Sequence, residues 1–239
     1  MPTEENFGWL AQSLRLTLFT SAVLPGAETL WAGVAGQPPT VDQYQPRELF
    51  RTQFGVLGDF GLTAQVNPAR TDIIVGVPSP LSTTFAPFNE GLQSFSGLVI
   101  PWLGKIDAEI LRIAFGAVLL YPAKDRTAAY EIIGRYVPSL KVDPAGSREL
   151  LYRINRPKVG ADGLELNRIT AWAAIVARTA VIAGSSTAQL AAQDFASLEL
   201  DHSTPALLEH PLNNARLVAI FNELVALGTG NAAQGEIPE

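Results

Sequence analysis

Between residues 14 and 19 apolar and polar side chains alternate, with Leu14, Leu16 and Leu18 separated by Arg15 and Thr17, and this period of two predicts a strand with one buried face. A Pro- and Gly-rich excursion over residues 25–46 leaves room for one short turn of helix at 30–35. Three further runs, 50–57, 62–66 and 73–77, are each bounded by Gly, Asn, Pro or Asp and predict an antiparallel meander. The spacing then changes to three and four at Phe88, Leu92, Phe95 and Val99, the stripe of an amphipathic helix ended by Pro101. Residues 109–121 read as an apolar strand. Asp125 is placed to cap a helix over 126–136 whose buried edge is Ala129, Tyr130, Ile133 and Val137. A strand over 195–200 precedes a last helix over 211–227, with Leu217, Ile220, Phe221 and Leu224 on one face and Gly228 as a left-handed C-cap. Residues 229–239 are small, polar and Pro-terminated, which predicts a single domain over 1–228 and a disordered C-terminal tail.

Two Asn-Arg pairs, Asn155-Arg156 and Asn167-Arg168, flank the turn sequence Gly160-Ala161-Asp162-Gly163. A four-residue loop closed by Val159 and Leu164 would set Asn155 opposite Arg168 and Arg156 opposite Asn167. Leu150, Tyr152 and Ile154 then share an apolar face with Ala173, Ala171 and Ile169. Leu151, Arg153 and Asn155 share the other face with Trp172, Thr170 and Arg168. The outgoing limb, 164–182, suits strand or helix after Thr170, and continuation of the register favours strand. Arg153, Asn155, Arg168 and Thr170 form the candidate ligand-binding surface on this reading. Two guanidinium groups so close require an anion between them, either a ligand or an internal acid such as Glu149, Glu165, Glu199 or Asp201. Arg156 falls on the opposite face, near the sheet edge.

At 239 residues, 47% hydrophobic and 17% charged, the chain has ample material for a core and no linker to divide it. Its net charge of -6 is uneven: residues 1–103 carry 4 basic and 8 acidic side chains, 104–178 carry 12 and 8, and 179–239 carry 1 and 7. Complementarity within the fold is the simplest origin of such a split, and an anionic partner for the middle third is the alternative. The absence of cysteine removes disulfides, thiolate metal sites and cysteine nucleophiles. With no secretion signal and no apolar run of bilayer length, a cytoplasmic protein without membrane contact is expected. The acidic balance and the lack of a dense basic stripe argue against nucleic acid.

Few motifs carry chemistry. His202 and His210, the only histidines, are eight residues apart across Pro205, a poor spacing for a metal, so no metal site is expected. Asp201 could instead orient His202 as a general base. Gly55, Gly58 and Gly61 lack the Lys-Ser/Thr and the helix that a phosphate-cradling loop needs, so they read as bulge and turn positions and no cofactor is expected. Ser79, Ser82 and Ser186 have no nucleophile-elbow context.

From Leu111 onward the order is a strand, a helix, a strand bearing Ile154-Asn155-Arg156, a strand bearing Leu166-Asn167-Arg168, a strand ending Leu198-Glu199-Leu200-Asp201, and the amphipathic run 215–228. This order resembles a sporadically distributed family of bacterial proteins without an assigned function. The resemblance implies an α+β sheet fold and carries no catalytic residue.

The sequence thus predicts an α+β protein, a twisted, mainly antiparallel sheet with two or three helices on one face and a long C-terminal helix. The expected function is noncatalytic: a binding or assembly subunit that recognises a protein partner, itself included, or an anionic ligand. One alternative is a hydrolase or transferase with Asp201 and His202 as acid and base and Arg153 and Arg168 as anion clamp. Another is a small-molecule carrier that grips its ligand between the sheet and the last helix.

Overall fold

The computed structural model describes residues 8–79, 82–183, 187–206, 208, 210–212 and 214–236. Its strands are β1 (Leu10–Thr20), β2 (Val41–Gln45), β3 (Phe50–Leu57), β4 (Phe60–Asn67), β5 (Arg70–Gly76), β6 (Ala86–Pro87), β7 (Ile110–Ala123), β8 (Leu151–Asn155), β9 (Lys158–Val159), β10 (Glu165–Ala183) and β11 (Thr187–Ser203). The helices are α1 (Leu30–Ala35), α2 (Phe88–Leu103), α3 (Arg126–Tyr136) and α4 (Asn214–Gln234). Nine strands follow one path, β2-β3-β4-β5-β1-β7-β11-β10-β8, with β6 on β1 and β9 on β10, and every pairing is antiparallel. The α+β class and the C-terminal helix are as expected from the sequence.

Alternation sets the layers. Leu14, Leu16 and Leu18 are fully buried, and in register with them lie Val75 and Ile73 on β5 and Ala117, Phe115 and Ile113 on β7. All four helices, rather than two or three, pack on this face. Trp31 of α1 donates its main-chain N–H to Gln53 and lies over Gly55, where a Cβ would stand 2.5 Å from its ring. Phe95 of α2 and Phe221 of α4 meet Phe115, with centroids 6.1–6.4 Å apart around the three rings. Tyr136 at the end of α3 stacks on Trp172 of β10 at 5.5 Å, and Trp9 packs against both. Each such ring pair contributes about 0.5–1.5 kcal/mol beyond its buried area.

Local rules explain where the helices start and stop. The Asp125 carboxylate accepts the Ala128 N–H at 2.8 Å, an N-cap worth about 1 kcal/mol, and α3 spans the residues expected. α2 includes Pro101 and ends two residues later at Leu103, so the proline forgoes a bond to the Gly97 carbonyl close to the helix end without stopping it. α4 departs most from expectation: it runs through Gly228 to Gln234. Gly228 is not a cap but a point of close approach, where a Cβ would stand 2.9 Å from Phe115 Cε1. The left-handed residue is Gly235, with φ of 74°. The tail expected to fray from residue 229 is therefore ordered through Glu236, which is 2% exposed. Residues 237–239 lie outside the described residues.

Candidate functional site

The hairpin between β9 and β10 forms, but one residue out of the expected register. Val159 pairs with Glu165, not Leu164, and Asn155 pairs with Ile169, not Arg168. The cause is in the turn. Gly160 donates its N–H to the Leu164 carbonyl at 2.7 Å, Asp162 accepts the Leu164 N–H at 3.1 Å, and Gly163 takes a φ of 83°, so the loop consumes five residues instead of four. With a side-chain period of two, a slip of one exchanges the faces of one limb. Tyr152 and Ile154, rather than Arg153 and Asn155, share a face with Trp172 and Thr170.

The four candidate residues therefore separate. Arg153 and Asn155 are exposed on the face without helices, where Arg153 lies opposite Ala171. Asn155 serves the strand itself, bonding Asn167 Oδ1 at 2.9 Å and accepting the Arg168 N–H at 3.0 Å. Arg168 and Thr170 face the helices. Arg156, assigned to the far face by the expected register, joins them there, its N–H donating to the Arg168 carbonyl at 3.0 Å.

An anion does meet this face, and it belongs to the chain. The Glu236 carboxylate receives hydrogen bonds on Oε1 from the Thr170 hydroxyl and from Trp172 Nε1, the latter at 3.2 Å, and on Oε2 from Arg156 Nε at 3.1 Å. The Glu236 N–H donates to the Tyr136 carbonyl at 2.7 Å, and a Cβ on Gly235 would collide with that carbonyl. Trp9 Nε1 anchors the preceding turn through the Ala232 carbonyl at 3.0 Å. Burial in this aromatic nest pushes the Tyr136 phenol above its ordinary value. The carboxylate that meets Thr170, Trp172 and Arg156 is thus not one of the acids considered from the sequence, Glu149, Glu165, Glu199 or Asp201. Glu236 went unrecognised because it stands in a segment whose composition promised disorder.

Asp201 and His202, adjacent on β11, point to opposite faces, so Asp201 does not orient His202. His202 is fully buried, and its Nδ1 lies 3.3 Å from the Leu224 carbonyl, which as an acceptor fixes the donor at Nδ1. Among the described residues its Nε2 has no partner. Burial pushes its pKa down to about 4, with Arg168 adding to that effect and the Leu224 bond opposing it. His210 is exposed. Among the described residues no group of three or more His, Asp or Glu is placed to hold a metal ion, and no helix is long and apolar enough to cross a membrane. Gly58, φ 58°, turns the β3–β4 hairpin and Gly55 makes room for Trp31, so both of these glycines serve the fold.

A second feature lies at the far end of β10 and β11. β8 accompanies β10 only from Ile169 to Ala173, and β7 accompanies β11 only from Asp194 to Ser203. Beyond them, residues 174–183 pair with 187–196 in one unbroken register, so that residues 174–183 and 187–193 form a two-stranded arm. Its last seven pairs, 177–183 with 187–193, lie beyond β7 as well as β8, so at about 3.3 Å per residue it projects roughly 23 Å past the three-stranded sheet. The 20 residues from 174 to 193 contain one charged side chain, Arg178, and no Lys or Pro. Val176, at the arm's base, is 50% exposed, and Gln193 ties that base to β7 through the Ala123 carbonyl at 2.8 Å. No family model, curated protein or solved structure matches the chain.

Proposed function

We propose that this protein is a noncatalytic assembly subunit whose β10–β11 arm pairs with a second copy of the chain. The observation that carries this reading is the arm itself. An isolated two-stranded ribbon is marginal in water, and three strands or a covering layer are needed for independent stability. Sheet edges that must stay single are guarded by Lys, Pro, bulges or inward charge. Among its described residues the arm carries a single charge, Arg178, with no Lys, Pro or bulge, and keeps an unbroken register. Its edges offer main-chain donors and acceptors of the kind that strand addition uses. A second copy is the partner of choice because uncharged, β-branched and small residues suit pairing with their own kind, whereas a basic or acidic partner would find a single charge to address.

The buried state of His202 and its separation from Asp201 weigh against the acid–base alternative. The hollow of about 510 Å³ beside α4 is lined by Asp162, Arg216, Ala219 and Ile220 and bridged by the Arg216–Asp162 ion pair at 2.6 Å. It lies between the helix and the hairpin turn, not between the sheet and the helix where the carrier reading put its ligand.

The test is sedimentation velocity over a concentration series. Wild-type protein is expected to associate, and a variant in which residues 179–191 are replaced by Asn-Gly is expected to sediment as a monomer with unchanged tryptophan emission, since no tryptophan lies in the arm. A wild-type protein that stays strictly monomeric at high concentration contradicts the proposal.

A further inference from the structure

The Glu236 carboxylate is held in a manner that fits a ligand as well as a structural residue. Three donors address two oxygens, the number a carboxylate presents, and the donors come from rigid elements. Thr170 and Trp172 are neighbours on one face of β10, both fully buried, and the main chain of Arg156 is held beside β10 by its N–H bond to the Arg168 carbonyl. The group they bind sits at the end of a weak element. The last turns of α4 read Gly228-Thr229-Gly230-Asn231, each a poor helix former, and end at Gly235. Terminal turns of such composition persist through tertiary contact, not propensity. Here those contacts are concentrated at Trp9–Ala232, Tyr136–Glu236 and the carboxylate itself.

We propose that Arg156, Thr170 and Trp172 constitute a receptor for an organic carboxylate, of which Glu236 is the resident and exchangeable occupant. The inference does not depend on the arm. A tethered group competes at an effective concentration in the millimolar range or above, so a free carboxylate fills the site when Glu236 is removed or withdrawn. Arg156 supplies the charge, at 30% side-chain exposure, and thus stands at the mouth of the site, with Thr170 and Trp172 as its floor. The planar guanidinium and the two-oxygen geometry select a carboxylate over a spherical halide.

The experiment is chemical rescue in the full chain. Glu236→Ala vacates the side-chain position, and sodium formate is titrated into it against sodium chloride of equal ionic strength, with the thermal midpoint as readout. The midpoint of Glu236→Ala is expected to rise saturably by several degrees in tens of millimolar formate. Wild type and Glu236→Gln, whose sites are filled, are expected to show no such rise. In Glu236→Ala combined with Arg156→Gln, the apparent formate affinity is expected to fall about tenfold or more. Should Glu236→Ala fail to fold alone, formate in the refolding buffer is expected to restore soluble protein. The proposal is overturned if formate neither shifts nor restores the variant. It is equally overturned if wild type responds alike, if the loss of Arg156 leaves the response unchanged, or if sulfate reproduces it.

Discussion

A histidine with no exposed surface and a single carbonyl partner is neutral in the folded chain at pH 7, and this has a thermodynamic consequence at His202. Its ordinary pKa of 6.5 applies to the unfolded chain, while the folded value lies at about 4. Between these values the unfolded state binds a proton that the folded state refuses, so stability falls as pH drops from 6.5 toward 4, by up to about 1.4 kcal/mol per pH unit, and levels off below. Asp42 and Asp162, whose carboxyls are held below their ordinary value of 3.8, act only beneath that window: their contribution is lost as pH falls through their lowered values. Urea unfolding of His202→Asn, whose amide can still donate to Leu224, is expected to lack the slope between pH 6.5 and 4. A variant that keeps the wild-type slope would show that another group is responsible. The expected clash of Arg153 with Arg168 does not arise, because the register slip puts them on opposite faces, and the carboxylate on this surface meets Arg156, Thr170 and Trp172 instead. The identity of that carboxylate was not legible in the sequence, because Thr170 and Glu236 lie 66 residues apart and meet only once α4 has docked.

Elements whose limits are set by local chemistry were read well, and those set by contact were not. α1 lies between Gly- and Pro-rich flanks, and α3 begins at a carboxylate cap, so both match their expected residues. The β9–β10 turn failed because Gly160, Asp162 and Gly163 support either a four- or a five-residue loop, and only the hydrogen bonds of Leu164 decide between them. Gly228 failed for a different reason: a glycine near the end of a helix pattern looks the same whether it frees the backbone or admits a neighbour. The two uses separate by substitution. Gly228→Ala is expected to cost about 1–3 kcal/mol, because a methyl group would stand 2.9 Å from the rigid Phe115 ring. Gly97→Ala, in the exposed interior of α2 with open space at the Cβ position, is expected to stabilise by about 0.5–1 kcal/mol. Equal effects of the two substitutions in urea titrations would contradict this assignment.

On the scale of the whole molecule, the uneven charge of the chain is partly resolved within it. The basic middle third meets the acidic last third at Arg156–Glu236, while Asp162 of the middle third takes the last third's one basic residue, Arg216. Residues 170–183 suited strand or helix by composition, and strand was favoured only by continuation of the hairpin, while the reach of the arm depends on where β7 and β8 stop. The helix-covered sheet is complete in one chain, whereas the arm has strands on neither flank among the described residues. Amide hydrogen exchange, followed at concentrations from the nanomolar to the high micromolar range, tests this difference most directly. Protection of residues 174–183 and 187–193 is expected to be low in dilute solution and to rise with concentration, while β1, β7 and the paired part of β10 stay protected throughout. Arm amides that exchange at the same rate across the whole range, in a chain that remains monomeric, would contradict completion of the sheet by a second copy.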